Sequence, residues 1–151
     1  MSTKRVLFAS SIFCTLLLAL TVYAQINRPF HHGSVWNIAF IRMKPGMNVA
    51  YLNYITTDWK KEQEAQKAEG IILSYKVLAT EAHSPTDWNL MLMTEYKDLA
   101  TLEASEKKTD ALAQKVIGSD EKQMQGYKER LEIREVMGER LAREVILAPE
   151  K

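Results

Sequence analysis

The chain has 151 residues and carries 20 lysines and arginines against 19 aspartates and glutamates, so its formal net charge at pH 7 is +1. This length suits one compact domain with a hydrophobic core of its own. Charges of both signs alternate along the sequence instead of gathering in blocks, which argues against the basic surface of a protein that binds nucleic acid or a membrane. We therefore expect no nucleic-acid partner.

The first 24 residues follow the order of a secretory signal peptide. Two positive charges, Lys4 and Arg5, precede an uncharged apolar run over 6–20, and an A-x-A-like segment over 22–24 closes the stretch. The apolar run is about 15 residues long, whereas a permanent transmembrane helix needs roughly 20. We predict an exported protein, periplasmic or extracellular, with no stable membrane anchor after cleavage. An uncleaved N-terminal anchor is the alternative.

Cleavage after Ala24 would also remove the only cysteine, Cys14, and removing 24 of the 151 residues leaves 127. The mature chain would contain no thiol, so packing rather than disulfide bonds must hold it together. The predicted division of the chain is a signal peptide over 1–24, an N-terminal lead over 25–33 and a single α+β barrel domain over 34–151.

Hydrophobic periodicity and turn residues predict the secondary structure. The predicted strands span 34–43, 71–80, 88–96 and 140–147, and the predicted helices span 48–69, 99–117 and 120–137. The helix ends are marked by N-capping residues and glycines, namely Asp98, Ser119 or Asp120, Gly70, Gly118 and Gly138. The order β-α-β-β-α-α-β is that of the α+β, ferredoxin-like split βαβ fold. It has a four-stranded antiparallel sheet, helices on one face and an extra helix before the last strand.

Two polar stretches are expected to lie at the surface. The run over 60–67 in the first helix would contact the core mainly through small residues such as Ala65 and Ala68. The mixed charges over 128–143 are typical of a solvated helix face.

One face of such a sheet is covered by helices, and the other is left bare. Side chains alternate along a strand, and grouping the more apolar sets places Trp36, Ile38 and Phe40 beneath the helices. Because exposed apolar surface costs about 25 cal/mol per Å², we expect a second copy to cover the remaining mixed set. The result would be a homodimer with a sheet-lined cavity. The candidate ligand-binding residues on this face are Asn37, Lys76, Met91, Met93 and Glu95.

Glu95 allows two interpretations. A carboxylate held in an apolar barrel would have a raised pKa and could act as a general acid or base. Alternatively, Glu95 forms an ion pair with Lys76 across the predicted hairpin, or with a lysine or arginine of the partner chain. No catalytic residue is assigned.

The segments Trp36-Asn-Ile-Ala-Phe-Ile-Arg-Met-Lys-Pro-Gly46 and Asn89-Leu-Met-Leu-Met-Thr-Glu-Tyr96, joined by a helix and a hairpin, resemble the dimeric α+β barrel superfamily. That group includes antibiotic-biosynthesis monooxygenases, haem-degrading monooxygenases and stress-responsive proteins of unassigned activity. More narrowly, the chain resembles exported bacterial proteins of unknown function related to antibiotic-biosynthesis monooxygenase-like domains. The resemblance covers residues 34–147 and implies a two-chain barrel with a small-molecule cavity in each subunit.

The histidines do not form a metal site in this pattern. His31 and His32 are adjacent and would point apart in an extended segment, and His83 lies in the predicted 81–87 loop. No HExxH or paired-cysteine spacing occurs. Haem-degrading relatives would need a ligating histidine, and no predicted helix contains one. We therefore expect no metal and no cofactor.

Three functional hypotheses remain open, and whether the protein is an enzyme is undecided. The first is binding of a small, partly apolar molecule in the cavity of a homodimer. The second is a cofactor-independent monooxygenase or isomerase acting on an aromatic or polyketide-like compound. The third is a structural or stress-protective dimer with a filled interior. For the second hypothesis, the resemblance implies positioning side chains of the types found at Asn37, Arg42, Tyr51, Trp59 and Tyr75.

Overall fold

The computed structural model describes residues 29–147. The predicted signal peptide, residues 25–28 of the predicted lead and the last four residues lie outside the described part of the chain. The described chain divides into a larger unit over 33–144 and a smaller one whose described residues are 29–32 and 145–147. In the smaller unit, the rings of Phe30 and His32 meet edge to face with their centres 5.6 Å apart. All the sites described below lie in the larger unit.

Four antiparallel strands form one sheet in the order β2-β3-β1-β4. The strands are β1 (Phe30–Met43), β2 (Ser74–Ala79), β3 (Leu90–Tyr96) and β4 (Arg134–Leu147). This confirms the predicted α+β, ferredoxin-like topology. Several boundaries differ from the prediction, and β2 and β3 begin three and two residues later than predicted. Strand β1 begins at Phe30, so residues 30–33 belong to a strand, and β4 begins at Arg134, so Gly138 lies within that strand and does not end a helix.

Five helical segments connect the strands. They are α1 (Asn48–Tyr54), a π-helical turn (Ile55–Trp59), α2 (Lys60–Ala68), α3 (Leu99–Val116) and α4 (Asp120–Ile133). The first three follow one another without a break, and Gly70, at φ +67°, follows the end of this helical run. Asp98 caps α3 by accepting a hydrogen bond from the Thr101 backbone N–H at 2.7 Å, and Ser119 caps α4. The extra helix before the last strand is confirmed.

Strand register decides which side chains share a face. The side chains of two residues paired across antiparallel strands point to the same side of the sheet. Each pair therefore places two side chains on one face. Ile41 pairs with Leu90, Ala39 with Leu92 and Asn37 with Thr94. The buried core joins this face to the first helical run through Ile41, Met43, Tyr51, Ile55, Leu90 and Leu92. We call the side of the sheet that carries Asn37 and Leu92 the inner face.

The opposite side of the sheet, the outer face, corrects one prediction. Trp36 pairs with Glu95, Ile38 with Met93 and Phe40 with Met91. These three β1 side chains were predicted to lie beneath the helices, and they lie instead on the face opposite the core. The prediction was wrong because alternation separates two sets within each strand. It does not say which sets of neighbouring strands belong together.

Candidate functional site

A cavity of about 320 Å³ lies between the inner face and the helices. We call it the inner cavity. Strands β1, β3 and β4, helices α1, α2 and α3 and the π-helical turn supply lining side chains. The lining includes Asn37, Tyr51, Trp59, Gln63, Gln66 and Arg134.

The π-helical turn helps to aim one helical run at the cavity. An α-helix has 3.6 residues per turn, so side chains spaced by four drift steadily around its axis. A π-helical turn holds more residues and offsets that drift. Tyr51 and Ile55 are buried at 1% and 5% exposure, and Trp59 still reaches the core cluster four residues later. The turn therefore keeps this helical run facing the sheet.

The next two inward positions of this run are glutamines. Gln63 and Gln66 are only 6% and 3% exposed. The Thr94 hydroxyl donates to Gln63 Oε1 at 3.0 Å, and Gln66 Nε2 donates to Glu62 Oε1 at 3.2 Å. Gln66 Oε1 has no hydrogen-bond partner among residues 29–147. The expectation that Ala65 and Ala68 make the core contacts is wrong, because Ala68 is exposed and the two amides point inward.

Arg134 enters the cavity from the junction between α4 and β4. Its backbone is extended (φ −150°, ψ 165°), and the Lys44 N–H donates to the Ile133 carbonyl at 3.0 Å, which ties this junction to the end of β1. Arg134 is 6% exposed. Its guanidinium carbon lies 5.9 Å from the ring centre of Tyr51 and 5.5 Å from that of Tyr127. The predicted helix over 120–137 left this residue on a solvated surface, so sequence reasoning missed it.

Two nitrogens of Arg134, Nε and Nη1, are buried and have no hydrogen-bond partner within the described residues. The ion pairs of this part of the chain join Arg42 to Glu135 and Lys108 to Glu69, so none involves Arg134. A buried guanidinium without a carboxylate is costly, because its charge has lost water and gained only aromatic ring faces and a hydrogen bond with Tyr51.

Burial also sets the ionisation of the groups around the cavity. It raises the pKa of Tyr51 to about 12, although the nearby Arg134 charge opposes the shift. Burial raises the pKa of Tyr54 and Tyr96 as well. Burial likewise raises the pKa of the Glu62 carboxyl, against the lowering effect of the Gln66 hydrogen bond. At neutral pH the tyrosines are therefore uncharged, and burial works against ionisation of the Glu62 carboxyl.

The predicted ligand-binding residues divide between the two faces. Asn37 lines the inner cavity, whereas Lys76, Met91, Met93 and Glu95 lie together on the outer face. The structure therefore separates Asn37 from the other four. Binding by any of the five stays a prediction.

The proposed hairpin ion pair of Glu95 is not formed. Glu95 lies opposite Ser74 in the register, and the Ser74 hydroxyl donates to its carboxylate. Lys76 lies opposite Met93, and its Nζ sits 5.1 Å from the centre of the Trp36 ring. The register thus gives each charge a different neighbour.

Other predicted polar residues lie away from the cavity. Arg42 pairs with Glu135 and donates to the Pro85 carbonyl, beside a larger cavity of about 740 Å³ under the 82–89 loop. Tyr75 donates to Glu64, and its ring meets the Trp59 ring edge to face at 5.4 Å. In residues 29–147, no three histidine, cysteine, aspartate or glutamate side chains are grouped as metal ligands. Nor does any helix there have the length and hydrophobicity to cross a membrane.

Comparison with known proteins agrees with the architecture described above. A NipSnap family protein of unknown function from Agrobacterium tumefaciens matches 79% of this chain and 95% of its own, with a TM-score of 0.52 and 17% identity. The chain has a ferredoxin-like α+β fold. A dimeric protein of unknown function with a ferredoxin-like fold, from Bacteroides fragilis, covers 76% of this chain and 97% of its own, at a TM-score of 0.42 and 17% identity. No protein-family model matches the chain, and no curated protein does.

Proposed function

We propose that the chain is an exported homodimer that binds a small, partly apolar molecule in the inner cavity. The observation that carries the proposal is the lining of this cavity, where aromatic rings surround buried polar atoms that lack partners within residues 29–147.

The size and chemistry of the cavity support binding. Ligand pockets are concave, mostly apolar and furnished with a few polar groups that fix orientation, and they start at roughly 300 Å³. The inner cavity, at about 320 Å³, fits a small molecule. Tyr51, Trp59 and Leu92 supply apolar surface, and Asn37, Gln66 and Arg134 supply hydrogen-bonding groups.

The test of ligand binding is native mass spectrometry of the purified protein, before and after denaturation. We expect a small molecule to accompany the folded chain and to raise its melting temperature when added back, because a ligand that binds only the folded state stabilises it. A cavity found empty, with no small molecule shifting the melting temperature, would favour the structural or stress-protective dimer.

The outer face supports the homodimer. Its large side chains, Trp36, Ile38, Phe40, Met91 and Met93, are only half-buried in the single chain. Leu78, opposite Met91 in the register, is 46% exposed. Contiguous apolar surface of this kind is uncommon on monomeric proteins and marks an interaction site. Sedimentation equilibrium at micromolar concentration is expected to give the mass of two chains, and the mass of one chain would contradict the dimer.

Export rests on the charged, apolar and A-x-A-like order of residues 1–24. The expected mature protein begins at Gln25. Intact-mass measurement of the protein from the cell envelope or the medium tests this directly, because retention of the leader would give a chain 24 residues longer.

A second candidate, cofactor-independent oxygenation, is favoured by one observation. Asn37, Tyr51 and Trp59, three of the residue types that position phenolic substrates in similar proteins, meet around the inner cavity. Oxygen uptake with a panel of phenols should then fall in Asn37→Ala. If no phenol supports turnover while a ligand still raises the melting temperature, the protein is a binder and not an oxygenase.

A further inference from the structure

We propose that the molecule bound in the inner cavity is a small organic acid whose carboxylate pairs with Arg134. The inference rests on the proposed function, and it names the chemical class of the ligand.

The guanidinium of Arg134 lacks hydrogen-bond partners for part of its buried surface. The residue is 6% exposed, and two of its guanidinium nitrogens have no partner among the described residues. Arginine donates in a rigid planar arrangement that matches a carboxylate. A charge buried this far is favourable only when an anion or a full set of hydrogen-bond acceptors meets it. An anion bound in the cavity would therefore supply the missing partners of Arg134.

The protein carboxylates near Arg134 form no ion pair with it in the described chain. Glu62 lines the cavity, but it accepts its hydrogen bond from Gln66, and its burial disfavours the ionised form. Glu139 lines the cavity yet is exposed and forms no ion pair with Arg134 in the described chain. Glu135, next to Arg134 in sequence, is paired with Arg42. The carboxylates described around the cavity therefore leave the Arg134 guanidinium without an ion-pair partner.

Other groups that line the cavity indicate what the rest of the ligand must carry. The Gln66 amide is oriented by its Nε2, which donates to Glu62. Gln66 Oε1 is left as a buried acceptor without a donor in residues 29–147. A hydroxyl or N–H on the ligand would satisfy it. Trp59, Tyr51 and Leu92 provide apolar walls. A cavity of about 320 Å³ lies at the lower end of the range of ligand pockets, so it suits a small molecule such as a single-ring acid. The expected class is a monocyclic carboxylic acid that carries a hydroxyl or amino group.

The test is calorimetric titration of the dialysed mature protein, which begins at Gln25, with benzoate and 4-hydroxybenzoate and with their neutral amides. We expect the acids to bind and the amides to bind at least about tenfold more weakly, since only the acids meet the buried charge. Arg134→Met should lower the affinity for the acids at least about tenfold. Arg140→Met changes an exposed arginine on the same strand. It is the matched control and should leave the affinity for the acids unchanged.

The hydroxyl requirement has its own comparison. We expect 4-hydroxybenzoate to bind more tightly than benzoate, and Gln66→Leu to abolish that difference while benzoate binding persists. Equal binding of both acids to the original protein would overturn this part of the inference.

The melting temperature of the ligand-free variants gives a second readout. If Arg134 is an unpaired charge, Arg134→Met should melt at a higher temperature than the original protein, because an apolar side chain is easier to bury. A lower melting temperature, or a Met variant that fails to fold while Arg134→Lys folds, would show that the protein itself supplies the counter-charge. Either result would overturn the inference.

The remaining outcomes separate this inference from the proposed function. Acids that bind Arg134→Met as well as the original protein, or amides that bind as tightly as acids, would remove the role of Arg134 and leave small-molecule binding intact. Failure of every acid would overturn the inference by itself. If in addition nothing accompanies the folded chain in native mass spectrometry, the proposed function fails as well.

Discussion

Both faces of the sheet carry polar side chains among apolar ones, but these polar groups find partners on the outer face and only in part on the inner face. On the outer face, the polar groups find partners within the sheet, as Glu95 does with Ser74 and Lys76 does with the Trp36 ring. On the inner face, helices bury Gln66 and Arg134 and leave some of their polar atoms without partners in the described chain. Satisfied polar groups beside half-buried apolar ones suit a surface that another chain covers. Unsatisfied buried groups suit a site that a ligand completes.

The largest expected effect is the difference in stability lost when a leucine of the inner face or of the outer face is shortened. Leu90, on the inner face, is 1% exposed, and Leu78, on the outer face, is 46% exposed. Leu90→Ala should lower the free energy of unfolding by about 3 kcal/mol, because it empties a packed site. Leu78→Ala should cost less than about 1 kcal/mol at concentrations where the chain is monomeric. Urea denaturation measures both, and equal losses would contradict the assignment of the faces.

A charge on the outer face should act on association and leave the fold intact. Ile38 lies opposite Met93 at the centre of this face, and Ile38→Asp is expected to weaken dimerisation by about 100-fold or more through burial of an unpaired carboxylate. Sedimentation velocity across a dilution series gives the dissociation constant. Asp110→Ala, an exposed position on α3, is the control. A variant that stays dimeric would place the interface elsewhere.

The pKa of Tyr51 predicts a loss of stability in alkaline solution. The folded state raises this pKa from 10.0 to about 12, so the folded state holds the proton more tightly than the unfolded chain. The resulting stability is complete below pH 10 and is lost as the pH rises toward 12. Tyr51→Phe should lack this contribution to the pH dependence and differ from the original protein by about 1–2 kcal/mol across that window. Denaturation at a series of pH values, with Tyr127→Phe as an exposed control, measures it.

Glu62 should give the smallest effect, with the same sign. Its folded-state pKa is raised by burial, so its contribution to stability is complete below the ordinary carboxyl pKa and is lost as the pH rises through the folded-state value. Glu62→Gln should therefore raise the melting temperature at pH 7, by an amount equivalent to less than about 1 kcal/mol. The gain should vanish in acid. Glu132→Gln, at an exposed position on α4, is the comparison, and an equal gain there would contradict the role of burial.

The elements that sequence reasoning predicted correctly depend on local rules. Asp98 caps a helix because its carboxylate accepts a hydrogen bond from a backbone N–H three residues later. Gly70 follows the end of a helix because that position requires a positive φ, here +67°, which glycine adopts without strain. The boundary of α4 was missed by four residues. The charged sequence around Arg134 continues a helical pattern, and only its link to the end of β1 shows where the strand begins.

Gln63, Gln66 and Arg134 were missed for a different reason. Polar residues lie at the surface by default, and nothing in the local pattern marks these three as exceptions. Their burial depends on the π-helical turn at 55–59 and on the packing of the helices over the sheet. The one available signal was the inward spacing of Tyr51, Ile55 and Trp59, which, continued by four, leads to Gln63.

The sequence by itself determined the order of strands and helices, the caps and the ferredoxin-like topology, since these follow from periodicity and from residues a few positions apart. The tertiary structure alone decided which alternating set of each strand meets the helices, and so which polar groups are enclosed. The physical reason is that alternation has two equivalent solutions in every strand. Only the hydrogen-bonded register between distant strands, such as that of Asn37 with Thr94, selects one of them.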